Sequence, residues 1–451
     1  MTSPESLNAP TTETPTTETP TSGTPTSGTP STGTAGALEG TQRRTLVVLV
    51  IAQILGTISL GVTPTIGILL AGEVTDNEAW AGLARTSSTL GAALLGIPLG
   101  NLAARRGRRT ALATGWWVAA AGAALLVVSA QFELVVPLFL GLLMTGAGTA
   151  ASLQSRFAAT DLAAPSTRAR SLSLVVWMGA IGNVLGPNLG VPGEVLGATT
   201  GLSVYAAAFL IAAVASLLAG TVIFALLRPD PLLVLARRQA ALAHDAAAGA
   251  PARLRRGERF RRMVAELRAN RRARTALVAL LTSQVVMVSL MTMTPVHIEH
   301  QGGSLTIVGL TISLHVAGMF GLSPVVGILV DRIGHRATIS IGIAIFAGSL
   351  AAAIFAAGSL AGVMVSLVLL GLGWSFMNVA ASALFATVIA DRSRASAQGG
   401  ADALSNLLGA TTSFAAGPLM AATSFSALGA VAALLLVPIC LLVLNPAHWR
   451  A

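Results

Sequence analysis

The 451-residue chain contains no lysine, a single cysteine and few charged residues. Only 10% of its residues are charged, whereas soluble domains carry about 25%. Such a chain cannot cover a water-facing surface, so a set of soluble domains is excluded. The lone Cys440 excludes a disulfide framework and a cysteine-based metal site. Because a phosphate-binding loop of the type G-x-x-x-x-G-K-[ST] needs lysine, the chain cannot hydrolyse ATP through one.

What the chain has instead is apolar sequence, with 53% hydrophobic residues and a mean hydropathy of +0.75. A helix that spans a bilayer needs ~20 apolar residues. The sequence therefore predicts an all-α integral membrane protein with twelve transmembrane helices. The predicted spans are 45–72, 79–103, 110–130, 134–160, 169–190, 203–227, 275–296, 305–330, 337–357, 360–388, 400–422 and 426–445.

The arginine positions predict the orientation of these spans. With a cytoplasmic amino terminus, every arginine except Arg85 and Arg156 falls in a cytoplasmic segment, and the opposite loops are acidic. This pattern follows the positive-inside rule and predicts that both termini are cytoplasmic. The net charge of +10 therefore marks topology, and nucleic acid is not an expected partner. Richness in Ala, Gly and Arg favours a GC-rich bacterial genome, hence a bacterial plasma (inner) membrane.

Polar segments divide the chain into domains. Residues 1–43 repeat Thr, Pro and Gly, which predicts a disordered cytoplasmic tail. An Arg-rich cytoplasmic loop, 229–273, separates six spans in 44–228 from six in 274–447, and 448–451 form the cytoplasmic carboxyl terminus. Within 255–274, arginine alternates with apolar residues, which predicts an amphipathic helix on the anionic cytoplasmic leaflet of the lipid bilayer.

The two halves repeat each other. The segment GAALLGIPLGNLAARRGRR, from Gly91, aligns without gaps with GMFGLSPVVGILVDRIGHR, from Gly318. Repeated six-helix halves are typical of transporters that expose a central site alternately to the two sides of the membrane. The expected architecture is two pseudo-symmetric six-helix bundles around a central cavity.

Two motifs carry a resemblance to a known family. GILVDRIGHR, from Gly327, resembles the G-x-L-x-D-R-x-G-R-R signature of the major facilitator superfamily, which lies between helices 2 and 3 and between helices 8 and 9. The resemblance covers about residues 44–446 and implies the major facilitator fold. A second run, Gly182-x-x-x-Gly186-Pro187-x-x-Gly190, is similar to the antiporter motif of the twelve-helix drug:proton antiporter group, with Val191 in place of the final Gly. The resemblance implies a seal against proton leak, whereas the spacing alone fits close helix packing.

The same resemblance implies a cytoplasmic gate. Asp331 is expected to face the start of span 5, where a helix amino terminus favours a carboxylate; a topology anchor without a switching role is the alternative. Ala104 replaces the corresponding Asp of the first half, so that lock is missing or replaced. The gate candidates are Gly100, Gly107, Arg108, Asp161, Arg168, Arg170, Gly327, Asp331, Arg332, Gly334 and Arg336.

Ionisable residues inside predicted spans are functional candidates. His315 is a candidate proton relay, because an unperturbed His titrates at ~6.5; a neutral, hydrogen-bonded His at the cavity or a helix interface is the alternative. Arg156 either pairs with Asp161 or faces the cavity. Arg85 is expected to snorkel at the extracellular end of span 2. The cavity candidates are Gln53, Arg156, Asn183, Gln284, Trp374 and Asn378.

The predicted function is secondary active efflux of small amphipathic compounds or drugs, driven by the proton gradient. Span 1 has no acidic residue, which argues against a specialist for cations. His297, Glu299 and His300 are too few for a metal site, and no nucleophile–base group suggests an enzyme. No cofactor and no obligatory protein partner are implied. The alternatives are a proton-coupled or facilitative nutrient importer, and a non-transporting membrane receptor or lipid-handling scaffold.

Replacing Asp331 with Asn tests the predicted lock. Loss of its charge should weaken the closed cytoplasmic side and increase cytoplasmic labelling of a cysteine placed in the cavity. Asp76→Asn, in a loop predicted on the opposite side, serves as the control. An unchanged balance between inward and outward states in the Asp331→Asn variant would contradict the lock.

Overall fold

The computed structural model describes residues 32–77, 79–164, 167–245, 270–389 and 391–445, and these residues are helical apart from short connections. The amino-terminal half contains α1 (Thr32–Val62), a π-helical turn (Thr63–Gly67), α2 (Ile68–Thr75), α3 (Ala79–Phe132), α4 (Val135–Ala158), α5 (Arg168–Leu185), a 3-10 turn (Gly186–Leu189), α6 (Gly190–Thr200) and α7 (Val204–Leu226). α8 (Pro231–Asp245) follows. The carboxyl-terminal half contains α9 (Arg271–His300), α10 (Leu305–Gly321), α11 (Ser323–Phe355), α12 (Leu360–Val388), α13 (Asp391–Ala422) and α14 (Phe425–Leu444).

Two glycines fold long helical stretches back on themselves. Gly107 (φ 87°) interrupts α3 and Gly334 (φ 83°) interrupts α11, both with non-helical backbone. Within the described residues, nine stretches are long and apolar enough to cross a membrane, and the stretches Gly82–Phe132 and Leu305–Phe355 each contain one of these breaks. Counting the two rods of each broken stretch separately gives eleven candidate spans among the described residues. α13 is not among them, so the count of twelve spans stays a prediction.

The helix boundaries differ from the sequence prediction at several places. α1 begins at Thr32, inside the segment predicted to be a disordered tail. The predicted end of span 5 at residue 190 is wrong. The helix continues through the 3-10 turn into α6 and ends at Thr200. Pro187 tightens one turn there without ending the helix. α8 lies within the predicted loop 229–273, and residues 246–269, which include most of the predicted amphipathic helix, lie outside the described residues.

The ends of the bundle differ in charge. Glu73, Glu133 and Glu299 come from three separate parts of the chain yet lie at one end, here called the acidic end. The negative charges of Glu133 and Glu299 act on Glu73. The breaks at Gly107 and Gly334 lie at the other end, with Arg108, Arg109, Arg332 and Arg336. This is the Arg-rich end.

At the Arg-rich end, equivalent arginines bind the last helix of each half. The Nε of Arg109 donates to the carbonyl oxygen of Phe224 at 2.7 Å, and its guanidinium lies 4.3 Å from the centre of the Phe224 ring. Arg336 donates from Nε to the carbonyl oxygen of Val443 at 3.1 Å and from Nη2 to that of Leu444 at 3.4 Å. The last carbonyls of a helix lack intrahelical partners and carry its negative dipole end. Each arginine therefore joins the middle of its half to the end of that half.

The two glycine breaks have different surroundings. Asp230 accepts from the backbone N–H of Arg109 at 2.7 Å through Oδ2, and from that of Leu232 at 3.0 Å through Oδ1. A Cβ added to Gly107 would lie 2.6 Å from the Cγ of Asp230, whereas one added to Gly334 would meet no atom of the described residues within 4 Å. The first break is therefore anchored by the start of the central loop.

Alanine substitutions should separate these two effects. Gly334→Ala adds backbone strain alone, which costs about 1–3 kcal/mol. Gly107→Ala adds the same strain and displaces Asp230, so it should lower the unfolding temperature of the purified protein further. Gly100→Ala, in a helix with open space around it, should change little. Equal losses at Gly107 and Gly334 would contradict an anchoring role for Asp230.

Candidate functional site: a cavity between the two halves

A cavity of about 230 Å³ lies between the two halves. α1, α3 and α4 line it on one side, and α9 and α13 line it on the other. Gln284 is near the middle of the 30-residue α9, so the cavity is near mid-height of the bundle. Its polar lining is Thr63, Arg85, Ser88, Thr89, Thr145, Thr149, Gln284 and Asn406, and its larger apolar residues are Leu60, Pro64, Leu153 and Val288.

A local irregularity of the first span shapes one wall of this cavity. Residues Thr63–Gly67 form a π-helical turn with Pro64 in its first turn. Since proline has no N–H to donate, the α-helical ladder is interrupted there. π-helical turns are often found at functional sites. Here the turn contributes Thr63 and Pro64 to the lining.

The cavity is closed toward the acidic end by contacts between the halves. The Oγ1 of Thr86 on α3 donates to the carbonyl oxygen of Ala410 on α13 at 3.0 Å, and the Oγ of Ser413 donates to that of Gly82 at 3.1 Å. The Nδ2 of Asn188 donates to the Oγ of Ser313 on α10 at 2.6 Å. Hydroxyl and amide side chains thus join the halves where hydrocarbon side chains would only touch.

The Gly-Pro run, which continues from α5 through the 3-10 turn to the start of α6, gives these contacts their close approach. A Cβ added to Gly61 of α1 would lie 3.0 Å from the Cα of Gly186, and one added to Gly309 of α10 would lie 2.7 Å from the carbonyl oxygen of Pro187. Gly182 packs equally closely on the backbone of α1, and Gly190 faces Leu305. α5 is therefore held between α1 of its own half and α10 of the other, which agrees with the packing interpretation. A role in blocking proton leak stays a prediction.

Toward the Arg-rich end the cavity is open. Along one face of α13, Asp402 and Asn406 are exposed, whereas Ser413, two turns further, is fully buried. Asp402 lies one turn before the lining residue Asn406, and Arg156 lies about one turn after the lining residue Leu153. Opposite charges from the two halves therefore attract each other at the mouth of the cavity.

Comparisons with known proteins identify this architecture. The family profile described as Major Facilitator Superfamily matches residues 45–320 and 275–450. The uncharacterized MFS-type transporter YdeG of Bacillus subtilis is 37% identical over 402 residues, which cover 88% of this chain and 91% of that protein. The chain belongs to the Major Facilitator Superfamily.

Further relatives fit this membership. The riboflavin transporter RfnT of Brucella anthropi is 29% identical over 406 residues, 88% of this chain and 96% of that protein. The nucleoside transporter NupG shares the fold with a TM-score of 0.66 at 16% identity, over 90% of this chain and 99% of that one. A bacterial homologue of the lysosomal transporter Spinster does so with a TM-score of 0.64 at 15% identity, over 91% and 96%. The chain is thus a major facilitator transporter with a small-molecule substrate and not an enzyme.

Of the predicted cavity residues, Gln284 lines the cavity. Gln53 lies between helices of the amino-terminal half, where its Nε2 donates to the Oγ of Ser152 at 2.5 Å. The ring of Trp374 lies 5.7 Å from that of Phe320 within the other half. Asn183 and Asn378 are half-buried and do not line this cavity.

His315 lies at a helix interface and not on the cavity wall. Its side chain is completely buried, with Nδ1 2.8 Å from the carbonyl oxygen of Leu367 on α12. In the part of the chain that the structure describes, Nε2 has no hydrogen-bond partner. The placement matches the interface alternative, and proton relay by His315 stays a prediction.

The gate residues form one contact that the sequence left open. Arg108 pairs with Asp161 at 2.9 Å, so Asp161 is engaged by α3 and does not serve Arg156. Asp331 is exposed, and its charge acts on His335, one turn further along the chain. The side chain of Arg168 lies outside the described residues, and the contact of Asp331 with the start of α5 stays a prediction.

Sequence reasoning missed three charged residues. Arg85 was expected to snorkel, but it lines the cavity, because its position six residues into α3 places it ~9 Å along the helix. Asp402 is the sole acidic residue of the predicted span 400–422, which was a signal for a functional residue. Asp230 had no such signal, since its partner is a backbone N–H.

The pair at the mouth predicts a measurable shift in conformation. Arg156→Gln and Asp402→Asn should each favour the conformation open at the Arg-rich end by about 0.5–1 kcal/mol, because closing brings the two charges together. Spin labels at the exposed positions Phe157 and Leu404 would report the separation of α4 and α13. The double exchange Arg156→Asp with Asp402→Arg should restore the distribution. A swap that behaves like the single variants would exclude a direct charge pair.

Proposed function

We propose that this chain is a proton-coupled exporter of small amphipathic compounds that works by alternating access. The observation that carries the proposal is the polar cavity between two repeated halves, closed at one end and open at the other. A site between inverted or repeated halves can face either side of the membrane in turn when the halves rock against each other. In this proposal the Arg-rich end faces the cytoplasm of a bacterial cell, so the described conformation is open inward.

Direction and coupling are the finer parts of the proposal. Export is supported by the Gly-Pro run, which resembles the antiporter motif and packs α5 between the halves. Proton coupling has two supports: His315, whose Nε2 is buried without a partner among the described residues, and Asp402, a carboxylate near the mouth. Either group could gain and lose a proton as the halves move.

Uptake of a hydrogen-bonding nutrient is the second candidate. It is favoured by the relative RfnT, which is named a riboflavin transporter, and by the threonines and amides of the cavity wall. These groups suit a polar heterocycle as well as a drug. The two candidates differ in whether substrate and proton move in opposite or in the same direction.

Proton flux in proteoliposomes with an imposed pH gradient tests the proposal. A panel of lipophilic cations, zwitterions and anions would be added to the wild-type protein, to His315→Ala and, as a matched control, to His300→Ala at the exposed last residue of α9. We expect at least one compound to drive proton movement opposite to its own, and His315→Ala to reduce this exchange at least tenfold while His300→Ala does not.

The other outcomes separate the alternatives. Proton movement in the same direction as the compound would replace export by uptake. If no compound moves protons, multidrug:proton exchange is excluded, and facilitative uptake of a nutrient becomes the better explanation. Undiminished exchange in His315→Ala would transfer the coupling role to another group, with Asp402→Asn as the next variant.

A further inference from the structure

The central cavity contains one positive charge and no negative charge. Arg85 is the charged member of its lining, and no Asp or Glu is among the lining residues. The Arg85 side chain is half-buried, and its hydrogen bonds in the described residues involve its backbone carbonyl and not its guanidinium. The charge of the guanidinium is therefore not compensated by a hydrogen-bond acceptor of the described residues.

An uncompensated charge inside a membrane-embedded bundle is unfavourable. Taking an ion out of water costs several kcal/mol unless a partner of opposite charge offsets the loss. Arg156 differs in this respect, because Asp402 attracts it from the opposite half. For Arg85 no carboxylate of the described residues supplies such an attraction. A ligand of negative charge would supply it.

The remaining lining groups sharpen the preference. The hydroxyls of Ser88 and Thr89 donate to the carbonyl oxygen of Arg85, and that of Thr145 donates to the carbonyl oxygen of Leu142. These hydroxyl protons therefore form hydrogen bonds within their own helices and are not available to a ligand. The donors left for a ligand are the guanidinium of Arg85 and the hydroxyls of Thr63 and Thr149 on one side, and the amides of Gln284 and Asn406 on the other.

We propose that this cavity binds a small organic monoanion, with its carboxylate held by Arg85. A guanidinium offers two parallel N–H groups that match the two oxygens of a carboxylate. The amides of Gln284 and Asn406 add donors from the opposite half, and Leu60, Pro64 and Val288 receive the apolar part of the molecule. The proposal names the substrate class of the transport function proposed above and rests on it.

Because the chain has a single cysteine, one substitution removes it and a thiol can then be placed at a chosen position to measure the local charge. In a Cys440→Ser background, Ser88→Cys places a thiol on the cavity wall one helical turn from Arg85. The thiol would be labelled with two methanethiosulfonate reagents, the anionic sulfonatoethyl and the cationic trimethylammonioethyl compound. Each rate is divided by the rate with a free thiol in solution. The ratio of the two rates cancels any effect of Arg85 on the thiolate fraction.

The ratio should favour the anionic reagent and should fall at least about tenfold in Arg85→Gln, given a unit charge within a helical turn. Arg85→Lys keeps the charge and should keep the ratio. Arg44→Gln, which removes an exposed positive charge from the start of the first span, should leave it unchanged. Benzoate should slow labelling, benzamide should slow it less, and benzamidinium should not slow it. Benzoate should protect the Arg85→Lys variant less well, because the paired N–H groups are lost.

Two results would overturn the proposal: a rate ratio that does not depend on Arg85, or protection by benzamidinium equal to that by benzoate. Labelling is read on purified protein and needs no transport. Failure of the liposome assay with anion-selective labelling intact would therefore count against the transport mechanism. Proton exchange together with a ratio of labelling rates that does not depend on Arg85 would count against the anion site alone.

Discussion

The close approach of backbones between α1, α5 and α10 is the contact on which the rest of the structure depends. Apolar side chains gain little from leaving lipid for the interior of a bundle, so the halves need another source of cohesion. Glycines at positions 61, 186 and 309 let main chains meet, and nearby hydroxyl and amide groups add hydrogen bonds. These contacts lie toward the acidic end. Because the halves meet there, the opposite end is free to part, and the cavity opens toward the arginines.

The contrast between a closed acidic end and an open Arg-rich end also explains how the charges are distributed. Arginines of the connections stay where water and phosphate head groups can solvate them, and two of them also serve carbonyls at helix ends. Arg156 and Asp402 stand at the edge of this wet region and offset each other. Arg85 lies deeper, inside the cavity between the two halves. The free-energy cost of removing a charge from water therefore rises from the mouth to the cavity. Arg85, for which this cost is highest, is the residue that faces the space for a ligand.

Much of the fold could be predicted from the sequence, because its signals are local. Hydropathy located the spans, arginine placement predicted their orientation, and the Gly327 motif indicated the family. The predicted end of span 5 at residue 190 was wrong, because the helix continues through the 3-10 turn at Pro187 as far as Thr200. The sequence predicted both Gln284 and Gln53 as cavity-lining residues, and it could not show that of these two only Gln284 lines the cavity. Which face of a helix contacts which neighbouring helix depends on tertiary packing. The spacing of residues along the sequence does not determine these contacts.

The contacts of Arg109 and Arg336 have a consequence for how the protein diverges. Each arginine binds main-chain oxygens at the end of the last helix of its half, and Arg336 binds these alone in the bonds described. A carbonyl is supplied by every amino acid, so the partner positions near Val443 can change freely while the bond persists. Paired substitutions across homologues will therefore leave no trace of this junction. Its presence in a distant relative has to be recognised from three-dimensional geometry.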